Sequence, residues 1–264
     1  MTTAIYGVGS MGGAVLDGLV AGGGAQVLAV VRRSEQADRL REQYAEHPGV
    51  EVVEPEDAAA RADVHLLLVK PYGVADLLEA ISPSLRPDAI VVSMALGVSL
   101  ADLAGHLSAG TAAIRAMPNT PAKVGQGMTV LSPSDDVSDE QLTRVRELLA
   151  PTGRTIVLPE SQQDAATAVS GSAPAYVYLF VEGLVDAGVA QGLTRPQALA
   201  MATQAVRGAG AMLAETGEDP AVLRTHVTSP GGSTAAALAR LEAHGMRHAL
   251  ADAVKACTDR SAGR

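Results

Sequence analysis

Gly7, Gly9 and Gly12 stand at the spacing G-x-G-x-x-G within Gly7-Val8-Gly9-Ser10-Met11-Gly12. Glycines at these offsets permit a tight turn, close approach of the backbone to a pyrophosphate, and close packing of a helix on a strand. The free N–H groups and positive dipole end of a helix starting there then face the phosphates. A second stretch, Thr228-Ser229-Pro230-Gly231-Gly232-Ser233-Thr234, is a loop that feeds a helix beginning near Ser233. Gly231 and Gly232 leave backbone N–H groups open to an anion, and Ser229, Ser233 and Thr234 add hydroxyls. A pocket for a small carboxylate fits this pattern. So does a capped helix start, because Ser and Thr are ordinary N-caps.

The glycine turn has meaning only between a strand and a helix. Ala4-Ile5-Tyr6 reads as the end of a buried strand, and the apolar spacing from Ala14 to Val20 reads as a helix. Residues 26–31 form a second strand, ending in Arg32-Arg33-Ser34. An NAD-binding unit usually places Asp or Glu here, about 20 residues past the glycines, to hold the ribose 2′-OH. Two cations and a hydroxyl instead suit a 2′-phosphate, which a carboxylate would repel. The cofactor expected is therefore NADPH, with Glu35 keeping NADH as the alternative.

Further along, residues 34–44 read as a helix, 50–53 as a strand and 56–61 as a helical turn. Residues 64–69 form a buried strand ending at Lys70-Pro71, and 89–93 a strand leading into Met94-Ala95-Leu96-Gly97. Residues 112–116 run into Met117-Pro118-Asn119-Thr120-Pro121, read as a rigid loop between prolines. Strands over 126–131 and 155–158 flank a helix over 138–150 with Ser138 as its N-cap. Alternating strands and helices imply a Rossmann-like, doubly wound parallel sheet with helices on both faces. Ligands sit at the carboxyl ends of such strands. Lys70 at that edge reads equally as a cofactor contact and as a solvated strand end. Asn119 suits a hydrogen bond to its own turn or to a carboxamide.

After Pro159 the strand-like runs stop, so the expected domains are residues 1–159, dinucleotide-binding, and 160–264, all-helical. Residues 174–191 are apolar nearly all round, with Tyr176, Tyr178, Phe180, Leu184 and Val189. Such a helix is buried in a core or against a copy of itself. A long helix follows over 196–215, where Gly208 and Gly210 would let another helix approach closely. The apolar excess points to a homo-oligomer.

Composition narrows the partners. A net charge of −9 lacks the basic footprint that nucleic acid or an anionic membrane requires. One cysteine, Cys257, rules out an internal disulfide framework, and the six histidines show no ligand clustering, so no metal is expected. No apolar run is read as reaching the ~18 residues of a membrane span, and no signal peptide is read. The expected location is the cytoplasm.

The stretch from Thr228 to Thr234, with Ala237-Leu238 and Leu241-Glu242, resembles the hallmark of pyrroline-5-carboxylate reductases. Gly7 to Gly12, Val69-Lys70-Pro71, Met117 to Pro121 and Ser170-Gly171-Ser172-Ala173-Pro174-Ala175-Tyr176 resemble the family's other blocks in the same order. Ala173 departs from the pattern, where glycine is commoner. The resemblance spans essentially the whole chain. It implies reduction of 1-pyrroline-5-carboxylate to L-proline with NAD(P)H, the last step of proline biosynthesis. It also implies a helical domain that forms interlocked dimers, often assembled into decamers.

Carried over by position, the resemblance puts the substrate carboxylate on Gly231, Gly232 and Ser233, with Ser229 beside it and Thr234 near the imine nitrogen as the catalytic residue. The cofactor would touch Gly7, Val8, Gly9, Ser10, Met11 and Gly12, then Arg32, Arg33 and Ser34. It would also touch Leu68, Val69, Lys70 and Pro71, then Met94, Ala95 and Leu96, with Asn119 near the nicotinamide. Two rival readings are another two-domain NADP-dependent imine or carbonyl reductase and a non-catalytic NADP-binding protein. The carbonyl-reducing rivals, β-hydroxyacid dehydrogenases and ketopantoate-type enzymes, are families with a lysine on the first helix of the second domain, and residues 170–191 contain none.

Overall fold

The computed structural model describes residues 1–23 and 26–263. Eight strands form one sheet: β1 Thr2–Tyr6, β2 Gln26–Val30, β3 Val50–Val52, β4 Val64–Leu67, β5 Ile90–Ser93, β6 Ala112–Met117, β7 Gly127–Pro133 and β8 Gly153–Val157. Its order is β3-β2-β1-β4-β5-β6-β7-β8. The direction of winding reverses between β1 and β4, where Ile5 pairs with Ala29 on one side and Leu66 on the other. The carboxyl ends of β1 and β4 therefore border the crevice in which open α/β sheets bind ligands.

The helices of this part are α1 Ser10–Ala21, α2 Ser34–Gln43, α3 Pro55–Arg61, α4 Val74–Ile81, α5 Leu100–Ala104, α6 Asp139–Leu149 and α7 Gln163–Ala166. Successive residues of β1 feed opposite faces of the sheet, as strand geometry requires. Ile5 packs with Leu16 and Leu19 of α1 and Leu148 and Leu149 of α6. Ala4 and Tyr6 pack with Ala58 of α3 and Leu78 and Ile81 of α4. The two cores make the sheet doubly wound, and because both faces are covered its strands are near-continuous aliphatic runs.

Two expectations need correction. The sheet is not wholly parallel, since β7 runs antiparallel to β6 with Ala116 opposite Leu131. The connection after Met117 is too short for a crossover helix. Nor is it a plain loop: Thr120–Val124 is a 3-10 helix ended by Gly125 at φ 68, which turns the chain back beside β6. After α6, β8 returns parallel to β7.

The chain divides into two compact units, Met1–Ser172 together with the segment from Cys257, and Ala173–Ala256. The division falls later than the expected break at Pro159. Residues 160–172 belong with the sheet because Arg115 of β6 pairs with Glu160 at 3.2 Å and Asp164 at 3.3 Å. Gln163 donates to Ser132 Oγ at 2.9 Å, and Thr167–Gly171 forms a π-helical turn. Arg264, the last residue of the expected second domain, lies outside the described residues.

The second unit carries α8 Ala173–Ala190, α9 Arg195–Thr216, α10 Pro220–His226, α11 Ser233–Ala243 and the main part of α12 Met246–Ser261. Its small core is Val185, Ala198 and Ala202. Close approach of α8 and α9 occurs at Gly188, where a Cβ would lie 3.2 Å from that of Ala198. A Cβ on Gly208 or Gly210 would meet nothing within 4 Å among the described residues, which leaves that part of α9 open to another helix. Val177, Leu179, Phe180, Leu184, Leu199, Met201 and Met212 are exposed.

The continuous helical stretch Glu160–Ala190 corrects another expectation, because by length and composition it is long and apolar enough to cross a membrane. Such a helix also suits a face that another protein surface covers.

Candidate functional site

Each glycine of the β1–α1 turn meets a different demand. Gly7 has φ 96, and a Cβ there would lie 2.9 Å from the Leu68 carbonyl oxygen. At Gly12 a Cβ would collide with the carbonyl of Gly7, so the third glycine seats the helix on the turn. Gly9 meets nothing within 4 Å, which leaves its surface open. It is the N-cap of α1, no side chain caps that helix, and its first turn holds no acid. The helix N-terminus thus keeps donors and positive potential free for an anion.

A cleft of about 760 Å³ opens beside this turn. Gly7, Val8 and Gly9 line it on one side, and Leu68, Val69 and Lys70 on the other. Arg32, Arg33 and Ser34 line its far end. Neither arginine has a carboxylate within 4.0 Å among the described residues, whereas nearby Arg41 is held by Asp38 at 2.9 Å. Glu35 does not line the cleft; it faces Arg39 at 3.8 Å. Ser10, Met11, Gly12 and Pro71 also stay off the cleft wall. Pro71 instead opens a 3-10 turn, Pro71–Gly73, ahead of α4.

Gln36, Tyr72 and Gly73 line the cleft without having been expected there. Gln36 Nε2 donates to the Val8 carbonyl at 2.5 Å and ties α2 to the glycine turn. Tyr72 is 82% exposed on the rim. No motif marks them, because what places them is the pairing of β1 with β2 and β4. Pro71, which ends the run after β4, was the only local signal near Tyr72 and Gly73.

The ends of β5 and β6 do not reach this cleft. Met94 and Ala95 are buried, while Leu96 is exposed and lines a separate cavity of about 460 Å³ with Gly97, Arg115, Asp164 and Arg260. Asn119 is buried, does not line the cleft, and closes its own turn as well as reaching beyond it. Its Nδ2 donates to the Ser170 carbonyl at 3.0 Å, and its Oδ1 accepts from Met128 N at 2.9 Å. One Nδ2 hydrogen is left over.

In the second unit, Thr228 Oγ1 donates to the Arg224 carbonyl at 2.6 Å and closes α10. Gly231 adopts φ 70, a left-handed conformation that favours glycine. A Cβ on Gly232 would collide with Ser229 Oγ, so the two glycines fold the loop tightly. Gly232 N donates to the Ser229 carbonyl at 3.0 Å. Gly232 is the N-cap of α11, and no side chain caps this helix either. The capped-start reading of Ser229 and Ser233 therefore fails, since neither hydroxyl accepts from the first turn. Ser233 and Thr234 occupy the first two helical positions, and their hydroxyls have no partner among the described residues. Each unit thus presents a glycine-started, uncapped helix N-terminus.

Comparison with known proteins identifies the family. Residues 160–263 match the family profile described as pyrroline-5-carboxylate reductase dimerisation. Residues 2–97 match that described as NADP oxidoreductase coenzyme F420-dependent. A pyrroline-5-carboxylate reductase of Corynebacterium melassecola is 41% identical, covering 98% of this chain and 97% of the relative. The solved pyrroline-5-carboxylate reductase of Coxiella burnetii superposes with a TM-score of 0.91 at 32% identity, covering 98% of this chain and 96% of that one. That of Plasmodium falciparum, solved with NADP bound, gives 0.87 at 26% identity, covering 100% and 97%.

Proposed function

This chain belongs to the pyrroline-5-carboxylate reductase family, and from that premise we propose how its residues share the reduction of 1-pyrroline-5-carboxylate to L-proline. The observation that carries the proposal is the pair of uncapped helix N-termini, one in each unit. One suits a pyrophosphate and the other a small carboxylate.

The first unit fits a dinucleotide. The N-terminus of α1 takes the pyrophosphate, and Gly9 admits it to the backbone. Arg32, Arg33 and Ser34 take a 2′-phosphate, which makes NADPH the preferred cofactor and leaves NADH usable. Leu68 to Lys70 line the same cleft, while Met94, Ala95, Leu96 and Asn119 belong toward the nicotinamide end. Asn119 acts there chiefly by holding the Ser170 carbonyl and the Met128 amide in place.

In the second unit, the backbone N–H groups of Gly231, Gly232 and Ser233 hold the substrate carboxylate, with Ser229 beside them. Thr234 orients the ring nitrogen through its unengaged hydroxyl. A reduced nicotinamide, when bound, supplies a hydride. The cyclic imine binds protonated, so its carbon is already an electrophile. As that carbon gains the hydride, the C=N π pair moves to nitrogen and leaves a secondary amine. No strong acid is required of the chain, which is consistent with a loop holding only hydroxyls and amides. What the chain supplies is orientation and exclusion of water.

The exposed apolar surface of α8 and α9, within a segment matching a dimerisation family, supports a homodimer, with a decamer as a higher assembly. A partner copy on that surface also accounts for the apolar length of Glu160–Ala190 in a cytoplasmic protein that binds neither membrane nor nucleic acid.

The test is consumption of reduced nicotinamide by purified protein with 1-pyrroline-5-carboxylate, run in parallel with NADPH and NADH. Rapid oxidation with proline as product, faster at low NADPH than at equal NADH, is the expected result. Folded protein that oxidises neither cofactor would overturn the assignment.

A further inference from the structure

Arg32 lies against Gly73. The β2 strand ends at Val30, and the Arg32 side chain reaches from there to the turn Pro71–Gly73 that follows β4. A Cβ on residue 73 would stand 3.0 Å from Arg32 Nη2 and 3.9 Å from its Cζ. Gly73 is buried and has φ −104, outside the left-handed region, so its backbone does not itself demand glycine. What a side chain would take is space beside the guanidinium, which would have to give way by a few tenths of an ångström for a Cβ and further for a longer side chain.

Among the described residues no hydrogen bond or ion pair fixes this guanidinium. Arg32 has no carboxylate within 4.0 Å among the described residues, unlike Arg39, Arg41 and Arg61 of the same unit. The end of a long side chain yields more cheaply than backbone does, so a Cβ at 73 displaces the charge rather than the fold.

We propose that Gly73 is a specificity-determining residue for the phosphorylated cofactor, its missing side chain forming the seat that keeps the Arg32 guanidinium at the 2′-phosphate end of the cleft. The proposal rests on reading Arg32-Arg33-Ser34 as the 2′-phosphate site. Gly73 then acts through Arg32, and its effect exists only while Arg32 is present.

The experiment is calorimetric binding of 2′,5′-ADP and 5′-AMP to the full-length protein, for wild type, Gly73→Ala, Gly73→Leu, Arg32→Ala and Arg32→Ala/Gly73→Ala. The readout is the affinity ratio of the two nucleotides. Arg32→Ala lowers this ratio about tenfold, the equivalent of one charge-assisted hydrogen bond. Gly73→Ala lowers it about threefold and Gly73→Leu about tenfold, since a larger side chain pushes the charge further. In the Arg32→Ala background, Gly73→Ala has no additional effect.

An unchanged ratio in both Gly73 variants, with the ratio lowered in Arg32→Ala, overturns the seat and leaves the 2′-phosphate reading intact. An equal fall from Gly73→Ala in both backgrounds also overturns it, because the residue would then act without Arg32. An unchanged ratio in Arg32→Ala overturns the 2′-phosphate reading for that residue, and the seat with it. Gly73→Ser provides a second small replacement should Gly73→Ala fold poorly.

Discussion

Tyr6 Oη lies 3.1 Å from Nδ1 of His65, joining β1 to β4 beneath the cleft, with both side chains buried. The rings stack with centroids 6.0 Å apart. Burial holds the imidazole neutral and pushes its pKa down to about 4, against smaller upward pulls from the Ala62 backbone and from Asp63. The unfolded chain takes up that proton near pH 6.5, so between about 6.5 and 4 the unfolded state binds more protons than the folded one. Stability from this residue is complete above pH 6.5, falls as the pH drops, and has lost ~3 kcal/mol by pH 4. Urea midpoints measured from pH 7.5 to 4.5 should decline, and His65→Leu should flatten the decline. An equal slope in the variant would assign the acid sensitivity elsewhere.

Gly9→Ala and Gly12→Ala should separate binding from folding. A Cβ on Gly9 meets no atom of the chain, whereas one on Gly12 collides with the Gly7 carbonyl. Gly9→Ala is expected to leave the melting temperature within a few degrees, while NADPH affinity falls about tenfold or more. Gly12→Ala should lower the melting temperature itself by several degrees, corresponding to about 1–3 kcal/mol of overpacking. Differential scanning fluorimetry with and without NADPH distinguishes the two.

Thr234 is at the second position of α11 with an unengaged hydroxyl, so its removal costs the fold little. Thr234→Ala is expected to lower kcat about tenfold or more at saturating substrate, with Thr234→Ser restoring most of it. Unchanged turnover in Thr234→Ala would remove its catalytic role.

Leu179 is 70% exposed on α8. Leu179→Glu should place a charge in the interface and shift the protein toward monomer in sedimentation velocity at micromolar concentration. A variant that sediments like the wild type would put the dimer contact on another face.

Much of the candidate site could be read from local patterns. The glycine turn, the cations after β2 and the loop before α11 depend on contiguous residues, and each was found where its pattern put it. Asn119 was not legible in the same way, because its two partners are Ser170 and Met128, far apart along the chain. The reversed β7 followed from how few residues separate it from β6, a constraint that strand propensity alone does not express. Residues 160–172 carry the same helical pattern as the segment after them, yet their polar partners are on β6 and β7.

By itself, the sequence determined the eight strands in order, the two glycine-bearing helix starts and the family, since period, turn chemistry and motif spacing are properties of neighbouring residues. Tertiary structure alone decided which side chains share the cleft, that Arg32 is seated on Gly73, that Glu35 is turned away, and that His65 is buried against Tyr6. Those relationships arise from parallel pairing of strands separated by crossover helices, which brings together residues 30 to 60 apart in the chain that no local pattern links.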